Sequence, residues 1–591
     1  MERIRGILLL GINAKYIHTN LALYSLRQYA VQAAGERGDF YREHIFLREY
    51  TINHRVEEIL RGIYKVRPRV LCISCYLWNI RMVKELVEDY KKIDPDVHIY
   101  LGGPEVSYDA TKCLATLPAV NGVMVGEGEG TFYELARAYL EGDALVGGEF
   151  QAGVEIRSLV YRGKEGGIHT NPIREMLNFS SIPFPYADCL DFADFTHKII
   201  YYETSRGCPF SCCYCLSSVE KSLRLRDLSL VEGELKAFLD ARVAQVKFVD
   251  RTFNCNRAHA MHIWNYLLEH DNGVTNFHFE IAADLLDEEQ IALLGRMRPG
   301  LIQLEIGVQS TNPRTLAAIF RRTDLKKVAE YVGRVQKPRN IHQHLDLIAG
   351  LPYEDYTSFG KSFDDVYHMK PDQLQLGFLK ILKGSAMAAM VEEHGILFGS
   401  KPPYEVLCTK YLPYSDVLRL KDIEDMVEVY YNSGQFVCSL PYLSTQFKSP
   451  FSMFEELALF YREEGLFDVK HSRLSRYEIL YRFAQGKTAF GDFLPCFAEC
   501  LLFDYYSREK PKAQPSFARA KDCDKRQRRE IFVAFGIEGE QAARCYVAYF
   551  CYDMEAAGEG RTVRCGADYL FDYTVGDPLT GACKVRCSTR K

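Results

Sequence analysis

The chain has 591 residues, of which 47% are hydrophobic, and its formal net charge is −5. This length suggests three or four domains, and the small net charge gives no electrostatic reason to expect a nucleic acid or a membrane as partner. The apolar run at the N-terminus is too short for a secretion signal or a membrane span. The 19 cysteines are therefore expected to be reduced thiols of a cytoplasmic protein, some of them metal ligands.

Strand and helix patterns alternate along residues 1–150. Apolar runs predict strands at 6–12, 69–75, 97–101 and 122–125. Helical patterns fall at 21–34, 55–64, 80–92 and 131–140. This alternation predicts a Rossmann-like, doubly wound parallel sheet with helices on both faces.

Polar residues and glycines follow the strands of this domain. They are Asn13 and His18 after the strand 6–12, Ser74 and Trp78 around the end of the strand 69–75, Gly102, Gly103 and Glu105 after the strand 97–101, and Gly126, Glu127, Gly128 and Glu129 after the strand 122–125. Ligands of such sheets bind at the carboxyl ends of the strands, and glycines there let a ligand approach the backbone. Each loop by itself is also compatible with a simple turn, and His18 with a polar cap on the following helix.

Three cysteines, Cys208, Cys212 and Cys215, follow the next predicted strand with the spacing C-x-x-x-C-x-x-C. Three thiolates on one short loop can hold an iron–sulfur cluster. A cubane has four irons, so three ligands leave one iron open to a small molecule. A structural zinc site usually needs a fourth protein ligand, and the loop contains no histidine.

A second series of strands is predicted at 198–203, 245–250, 277–282, 301–307, 342–348 and 373–379. Six strand–helix units predict a partial (β/α)6 barrel, whose active site lies at the carboxyl ends of the strands. Five polar residues fall on that rim: Asp250, Glu280, Gln309, Arg321 and Asp346. Each is also compatible with an ordinary rim salt bridge or hydrogen bond.

The cysteine spacing, with Tyr214 before the last cysteine, resembles the radical SAM superfamily, and the strand-end loops resemble the cobalamin-binding domain that precedes many of its members. The resemblance implies a 4Fe–4S cluster, S-adenosylmethionine (SAM) on the open iron, and cobalamin. The chain lacks the D-x-H-x-x-G motif, which implies cobalamin without a histidine ligand to cobalt. An empty, purely structural Rossmann-like domain is the alternative.

The barrel rim resembles the radical SAM branch that contains the oxygen-independent coproporphyrinogen oxidases. That resemblance implies that Glu280, Gln309, Arg321 and Asp346 contact SAM, with Arg322 competing for the role of Arg321. The family's Gly-Gly-Glu motif is absent, and Asp250 is expected to receive the SAM amino group instead.

The C-terminal third predicts an α+β domain. Helical patterns fall at 418–430, 454–462, 477–487 and 492–506, and strand patterns at 529–535, 545–553 and 562–573. The region resembles a C-terminal domain of unknown function found behind the same two modules. Residues 507–530 hold nine Lys or Arg against four acids, which is more typical of a solvated linker than of an RNA site. The C-x-x-x-C pairs 496/500 and 583/587 suggest unconnected thiols rather than a second cluster.

The predicted domains are therefore 1–150, which binds cobalamin; a linker, 151–195; the radical SAM barrel, 196–395; and the C-terminal domain, 396–591. The resemblance implies an enzyme that cleaves SAM reductively and most often methylates an unactivated carbon. Alternatives are radical rearrangement, cyclisation or oxidation without methyl transfer, and a non-catalytic cobalamin or redox sensor. We expect a small-molecule or macromolecular substrate, an external one-electron reductant of the flavodoxin or ferredoxin type, and no nucleic-acid partner.

Overall fold

The computed structural model describes residues 4–142, 145–146, 149–150, 155–163, 165–189, 192–486, 493–518 and 525–589. The fold is mixed α/β with parallel sheets, as predicted. The chain divides into two compact units. The first contains Met1–Ile302, Ile319–Arg321 and Leu379–Leu407, and the second contains Gln303–Ala318, Arg322–Phe378 and Cys408–Lys591.

A seven-stranded sheet forms the N-terminal part of the first unit. Its strands, in spatial order, are Ile45–Thr51, Ile4–Asn13, Pro68–Ser74, His98–Gly102, Gly122–Met124, Leu159–Arg162 and Ile168–Thr170. The first five are parallel, and the last two are an antiparallel extension that the sequence pattern did not predict. The four predicted strands are present. The strand Ile45–Thr51 lies at the edge of the sheet and was also missed, because its mixed burial hides the apolar pattern.

Helices cover both faces of this sheet. One face carries Leu21–Ala33, Gly38–His44 and Glu129–Glu141, and the other carries Val56–Val66, Ile80–Ile93, Pro104–Ser107 and Ala110–Thr116. Because side chains alternate along a strand, Ile7 and Leu9 pack into one core while Leu8 and Leu10 pack into the other. The predicted doubly wound arrangement is therefore present.

The strand order places a topological switch point between Ile4–Asn13 and Pro68–Ser74. Helices leave these two neighbouring strands toward opposite faces, which opens a crevice at their carboxyl ends. Ligands of doubly wound sheets bind in this crevice.

The remainder of the first unit begins a second parallel series. Its strands are Ile199–Tyr202, Gln245–Phe248 and Asn276–Ile281, in this spatial order, and its helices are Leu228–Asp240, Arg257–Glu269 and Glu288–Leu294. An antiparallel ribbon pairs Ser205–Arg206 with Arg224–Leu225 and encloses the cysteine loop. Short strand pairs lie at Leu145–Val146 with Glu149–Phe150 and at Leu397–Phe398 with Val406–Cys408.

The second unit contains another set of parallel strands, Ile302–Gln309, His342–Ala349 and Gln373–Phe378. The helices of this set are Pro313–Ala318, Leu325–Gln336 and Tyr356–His368. The register of the first pair shifts between Gly307 and Gln309. Gln309 therefore ends its strand in an irregular backbone conformation.

The C-terminal part of the second unit combines helices with an antiparallel sheet. Its helices are Tyr414–Met426, Ser439–Ser444, Pro450–Glu463, Arg473–Gln485, Leu494–Arg508, Lys525–Ala534, Glu540–Ala543 and Met554–Gly558, and Val427–Asn432 continues the first as a turn of π-helix. An antiparallel sheet follows, with strands Cys545–Tyr552, Arg564–Gly576 and Cys583–Thr589. The predicted ends at 487 and 492 lie outside the described residues.

One prediction for this region was wrong. Residues 529–535 were expected to form a strand but belong mainly to the helix Lys525–Ala534. Arginine, lysine, glutamine and glutamate at its start favour a helix, and Arg526 pairs with Glu530 one turn later at 3.0 Å. No helix in the described part of the chain is long and apolar enough to cross a membrane.

Candidate cofactor site

A cavity of about 1170 Å³ opens at the carboxyl edge of the N-terminal sheet, within the first unit. This volume exceeds the roughly 300–1,000 Å³ typical of sites for drug-sized ligands. Eleven of the predicted site residues line it: Asn13, His18, Ser74, Trp78, Gly102, Gly103, Gly126, Glu127, Gly128, Glu129 and Glu280. The four strand-end loops thus meet at one cavity, which could hold a large cofactor.

The switch point is held together by buried polar side chains. Asn13 donates to the carbonyl of His18 at 2.9 Å and to the Glu49 carboxylate at 3.0 Å. Asn20 donates to the Ser74 hydroxyl at 2.8 Å. This bond joins the loop after the strand Ile4–Asn13 to the end of the strand Pro68–Ser74. These bonds fix the crevice before any ligand binds.

Two stacked rings form one wall of the cavity. The rings of Tyr76 and Trp78 are parallel, with centroids 4.5 Å apart, and both residues line the cavity. The Trp78 indole nitrogen donates to the carbonyl of Ile12 at 3.0 Å. Because Trp78 is 46% exposed, it offers a flat apolar surface to a bound group.

His18 has a different role from the helix cap considered above. Its Nδ1 lies 2.7 Å from the Tyr201 hydroxyl, and the residue preceding the helix Leu21–Ala33 is Asn20. Burial, with the nearby charges of Lys15 and Lys247, lowers the pKa of His18. Both effects favour the neutral form of the ring, which is engaged with Tyr201.

The turn after the strand His98–Gly102 needs glycine because the backbone packs closely there, and not only because a ligand can approach it. Gly103 has φ of +105°, and a Cβ there would lie 2.6 Å from the carbonyl oxygen of Cys75. Glu105 does not line the cavity: its carboxylate is 3.2 Å from Lys383 Nζ and accepts a hydrogen bond from the Tyr404 hydroxyl. The predicted direct contact of Glu105 with a cofactor is thus replaced by an ion pair behind the turn.

Arg206 precedes Gly207 and Cys208, and it connects the cysteine loop to the loop that follows the strand Gly122–Met124. Its guanidinium lies 2.6 Å from Glu129, 3.2 Å from Glu127 and 2.6 Å from Glu203. Burial lowers the pKa of Arg206, whereas the carboxylates of Glu203 and Glu129 raise it. The net effect is a raised pKa. Sequence reasoning missed this residue, although its position beside the cysteine motif was a signal.

The cysteine loop folds back tightly on itself. Gly207 has φ of +88°, and a Cβ there would lie only 2.2 Å from the carbonyl oxygen of Ser222. The Cys208 amide donates to the carbonyl of Glu220 at 3.0 Å, and the Cys215 amide donates to that of Cys212 at 3.1 Å. The loop is therefore closed at both ends.

All three motif thiols are at least half-buried. Cys208 and Cys212 are buried, Cys215 is half-buried, and burial together with these two neighbours raises the pKa of Cys208. Among the described residues, no three Cys, His, Asp or Glu side chains converge on a single metal position. Thiolates of a cubane each bind a different iron, so a cluster does not require three side chains to converge on a single metal position.

Cys213 is separate from this set. Its side chain is fully buried, its amide donates to the carbonyl of Ile319 at 3.1 Å, and its carbonyl accepts from the amide of Met387 at 2.8 Å. Both backbone groups are thereby fixed against neighbouring segments, as expected of a structural thiol.

The two candidate arginines are distinguished by their positions. Arg321 is half-buried and donates to the Tyr214 hydroxyl at 3.3 Å and to Cys212 Sγ at 3.8 Å. Arg322 is exposed and belongs to the second unit. The geometry therefore favours Arg321 as the arginine of the cysteine loop.

The carboxylate of Asp250 is hydrogen-bonded to the segment before the cysteine loop. Its carboxylate accepts hydrogen bonds from the Thr204 amide at 2.9 Å, the Thr204 hydroxyl at 2.7 Å and the Ser205 hydroxyl at 2.6 Å. Burial raises its pKa to about 6, and the residue does not line the cavity. This geometry favours anchoring of the segment before the cysteine loop over the predicted contact with SAM.

The other two predicted SAM residues belong to the second unit. Gln309 has φ of +73°, and its Oε1 is buried without a hydrogen-bond partner in the described part of the chain. The carboxylate of Asp346 lies 3.0 Å from His344 Nε2. Strained backbone and an unsatisfied polar atom are features of ligand sites.

A buried carboxylate holds the segment that follows Gln309. Glu354 accepts hydrogen bonds from the Ser310 hydroxyl at 2.6 Å and the Ser362 hydroxyl at 2.9 Å. Burial raises the pKa of Glu354 to about 7. Sequence reasoning did not single out Glu354, although it lies only two positions after the proline of the Gly-Leu-Pro motif.

Three known families match successive parts of the chain. The B12 binding domain matches residues 7–136, the radical SAM superfamily matches 202–366, and a protein family of unknown function, DUF4080, matches 392–545. The chain therefore contains a B12 binding domain at residues 7–136 and a radical SAM domain at residues 202–366. This confirms the resemblance stated from the sequence, including the C-terminal domain of unknown function, and supports the 4Fe–4S cluster, SAM and cobalamin as cofactors.

Curated relatives match parts of this chain. The uncharacterized methyltransferase PH0819 of Pyrococcus horikoshii is 27% identical over 304 residues, which are 50% of this chain and 63% of the relative. The cobalamin-dependent radical SAM methyltransferase TokK of Streptomyces tokunonensis is 28% identical over 376 residues, which are 61% of this chain and 52% of TokK. The chain thus spans less than two thirds of the length of either relative.

The fold is shared with a solved structure. The cobalamin-dependent S-adenosylmethionine radical enzyme OxsB, with aqua-cobalamin bound, matches with a TM-score of 0.58 and 14% identity, over 85% of this chain and 81% of OxsB. At this identity the match establishes similarity of fold.

Proposed function

We propose that this protein is a cobalamin-dependent radical SAM enzyme that cleaves SAM reductively and methylates an unactivated carbon of its substrate. One observation carries the proposal: the cavity is lined both by the strand-end loops of the B12 binding domain and by Arg206 and Gly207, which lead into the cysteine loop. Two cofactors bound to these elements would share one cavity. Both curated relatives described above are named methyltransferases.

The chain's own residues would hold and orient the cofactors. Cys208, Cys212 and Cys215 would ligate the cluster, and the strand-end loops would bind cobalamin with no histidine on cobalt. Glu280, Gln309, Arg321 and Asp346 would bind SAM, since carboxylates suit its hydroxyl and amino groups and arginine suits its carboxylate. When bound, the cluster supplies the electron that cleaves SAM, and cobalamin supplies the methyl group.

The finer architecture belongs to the same proposal. We place a partial (β/α)6 barrel at residues 196–395, after a cobalamin domain at 1–150 and a linker at 151–195. The C-terminal domain, 396–591, has no assigned role. A flavodoxin or ferredoxin would deliver the electron, and the substrate would be a small molecule or a macromolecule of the host.

The test is an anaerobic assay of the full chain, reconstituted with iron, sulfide and cobalamin and supplied with SAM and a one-electron reductant. Deoxyadenosine is measured together with a gain of one methyl mass in components of host extract. We expect both in the wild type and in Cys213→Ala, and neither in Cys212→Ala. Deoxyadenosine without methylation would favour rearrangement, cyclisation or oxidation. A protein that binds its cofactors and leaves SAM intact would be a sensor.

A further inference from the structure

A lysine far along the chain lies directly behind the cavity. Lys383 belongs to residues 379–407, which are part of the first unit together with the B12 binding domain. Its Nζ is 3.2 Å from Glu105 Oε1 and 3.2 Å from Asp109 Oδ2, and it donates to the carbonyl of Glu105 at 3.1 Å. One ammonium group therefore holds two carboxylates and a backbone carbonyl.

These contacts fix the turn that lines the cavity. Glu105 follows Gly102 and Gly103 and is only 4% exposed. Its carboxylate also accepts a hydrogen bond from Tyr404, so both of its side-chain donors come from residues 379–407. A buried carboxylate without its cation is costly, and the turn would have to open to hydrate it.

The same segment makes two further contacts beside the site. A Cβ on Gly384 would lie 2.3 Å from the ring of Tyr108, which lines the cavity, so the ring packs closely on the backbone of Gly384. The Met387 amide donates to the carbonyl of Cys213 at 2.8 Å. Residues 379–407 thus touch both the turn of the B12 binding domain and the cysteine loop.

We propose that Lys383 is a positioning residue for cobalamin: it holds the turn of residues 102–108 in the shape that the cofactor requires. This inference rests on the proposed function, because it takes cobalamin as the ligand of the cavity. It extends the site beyond the B12 binding domain, to a residue 278 positions from Glu105 in sequence. Lys383 acts through Glu105 and Asp109 and does not line the cavity itself.

The experiment titrates the full chain, carrying its reconstituted cluster, with hydroxocobalamin and separately with SAM. Lys383→Met is expected to weaken cobalamin binding at least about tenfold and to leave SAM affinity and iron content unchanged. Lys383→Arg keeps a cation that can bridge two carboxylates, so it should bind cobalamin nearly as the wild type does. Lys401→Met, an exposed lysine of the same segment, is the matched control.

A double variant separates positioning from charge balance. Lys383→Met with Glu105→Gln removes both charges, so no buried charge remains unpaired at Glu105. We expect cobalamin binding to stay weak, because the link that holds the turn is still missing. Wild-type affinity in the double variant, or in Lys383→Met alone, would overturn the inference. A wild-type chain that binds no cobalamin would instead refute the proposed function.

Discussion

Arg206 donates a hydrogen bond to Glu129 over 2.6 Å and so joins the residue before the cysteine loop to the first residue of the helix Glu129–Glu141. Both side chains are largely buried, at 14% and 6% exposed. Burial alone would raise the pKa of Glu129, but the charge and hydrogen bonds of Arg206 lower it overall. The pair thus stabilises the protein above the pKa of an unfolded glutamate, and this stabilisation is lost as the pH falls through the lower folded pKa.

Breaking this pair should be costly. Arg206→Met leaves Glu129 without its main cation, so we expect the free energy of unfolding at pH 7 to fall by about 3–5 kcal/mol. Urea unfolding measures the change. Arg37→Met is the control, because its pair with Glu141 spans 3.4 Å and the arginine is 51% exposed; its loss should cost less than about 1 kcal/mol. Equal effects of the two variants would contradict the role given to Arg206.

The cysteine motif predicts that the cluster depends on Cys208, Cys212 and Cys215 but not on their neighbour Cys213. Replacing Cys208, Cys212 and Cys215 together with alanine should abolish iron binding, because all three proposed ligand thiolates are then removed. Cys213→Ala should retain the cluster, since that thiol is buried and its backbone is held by Ile319 and Met387. Iron content and visible absorbance after anaerobic reconstitution check both. The assignment fails if the triple variant keeps its full complement of iron.

Gln309 should matter for SAM and not for folding. Its Oε1 is buried without a partner in the described chain, so Gln309→Met breaks no bond of that oxygen in the unliganded protein. We expect unchanged or higher stability to urea, and SAM binding weaker by about 1–3 kcal/mol. Gln303→Met, at the other end of the same strand, is the control for SAM binding. A variant that binds SAM as tightly as the wild type would remove Gln309 from the site.

Glu354 should make stability depend on pH. Burial raises its pKa to about 7, so its contribution to folding is fully present below the pKa of an unfolded glutamate and is lost as the pH rises through about 7. Relative to Glu354→Gln, the wild type should lose roughly 3 kcal/mol of unfolding free energy between pH 4.5 and pH 7. Urea unfolding at several pH values tests this. The exposed Glu330→Gln should run parallel to the wild type, and a parallel curve for Glu354→Gln would refute the prediction.

The positions of most elements could be read from the sequence. The alternation of strands and helices depends on neighbours within a few residues, and the cysteine motif lies within eight positions, so both are visible locally. The predictions failed where local pattern and final context disagree. The strand Ile45–Thr51 lies at a sheet edge with mixed burial, and Lys525–Ala534 has the composition of a helix beside an apolar end that suggested a strand.

What the sequence by itself determined is the presence of a B12 binding domain and a radical SAM domain, with the cofactors that these domains imply. Only the tertiary structure decided which side chains serve the cavity and which serve the fold. Asp250, Glu105 and Glu280 are all polar residues near strand ends, but Glu280 lines the cavity whereas Asp250 and Glu105 do not and accept hydrogen bonds from neighbouring segments. Arg206 and Glu129 are 77 positions apart, and this charge pair exists only because the segment before the cysteine loop packs against the start of the helix Glu129–Glu141. Contacts between residues so distant in sequence cannot be predicted from local patterns, because burial and pairing depend on the packing of whole elements.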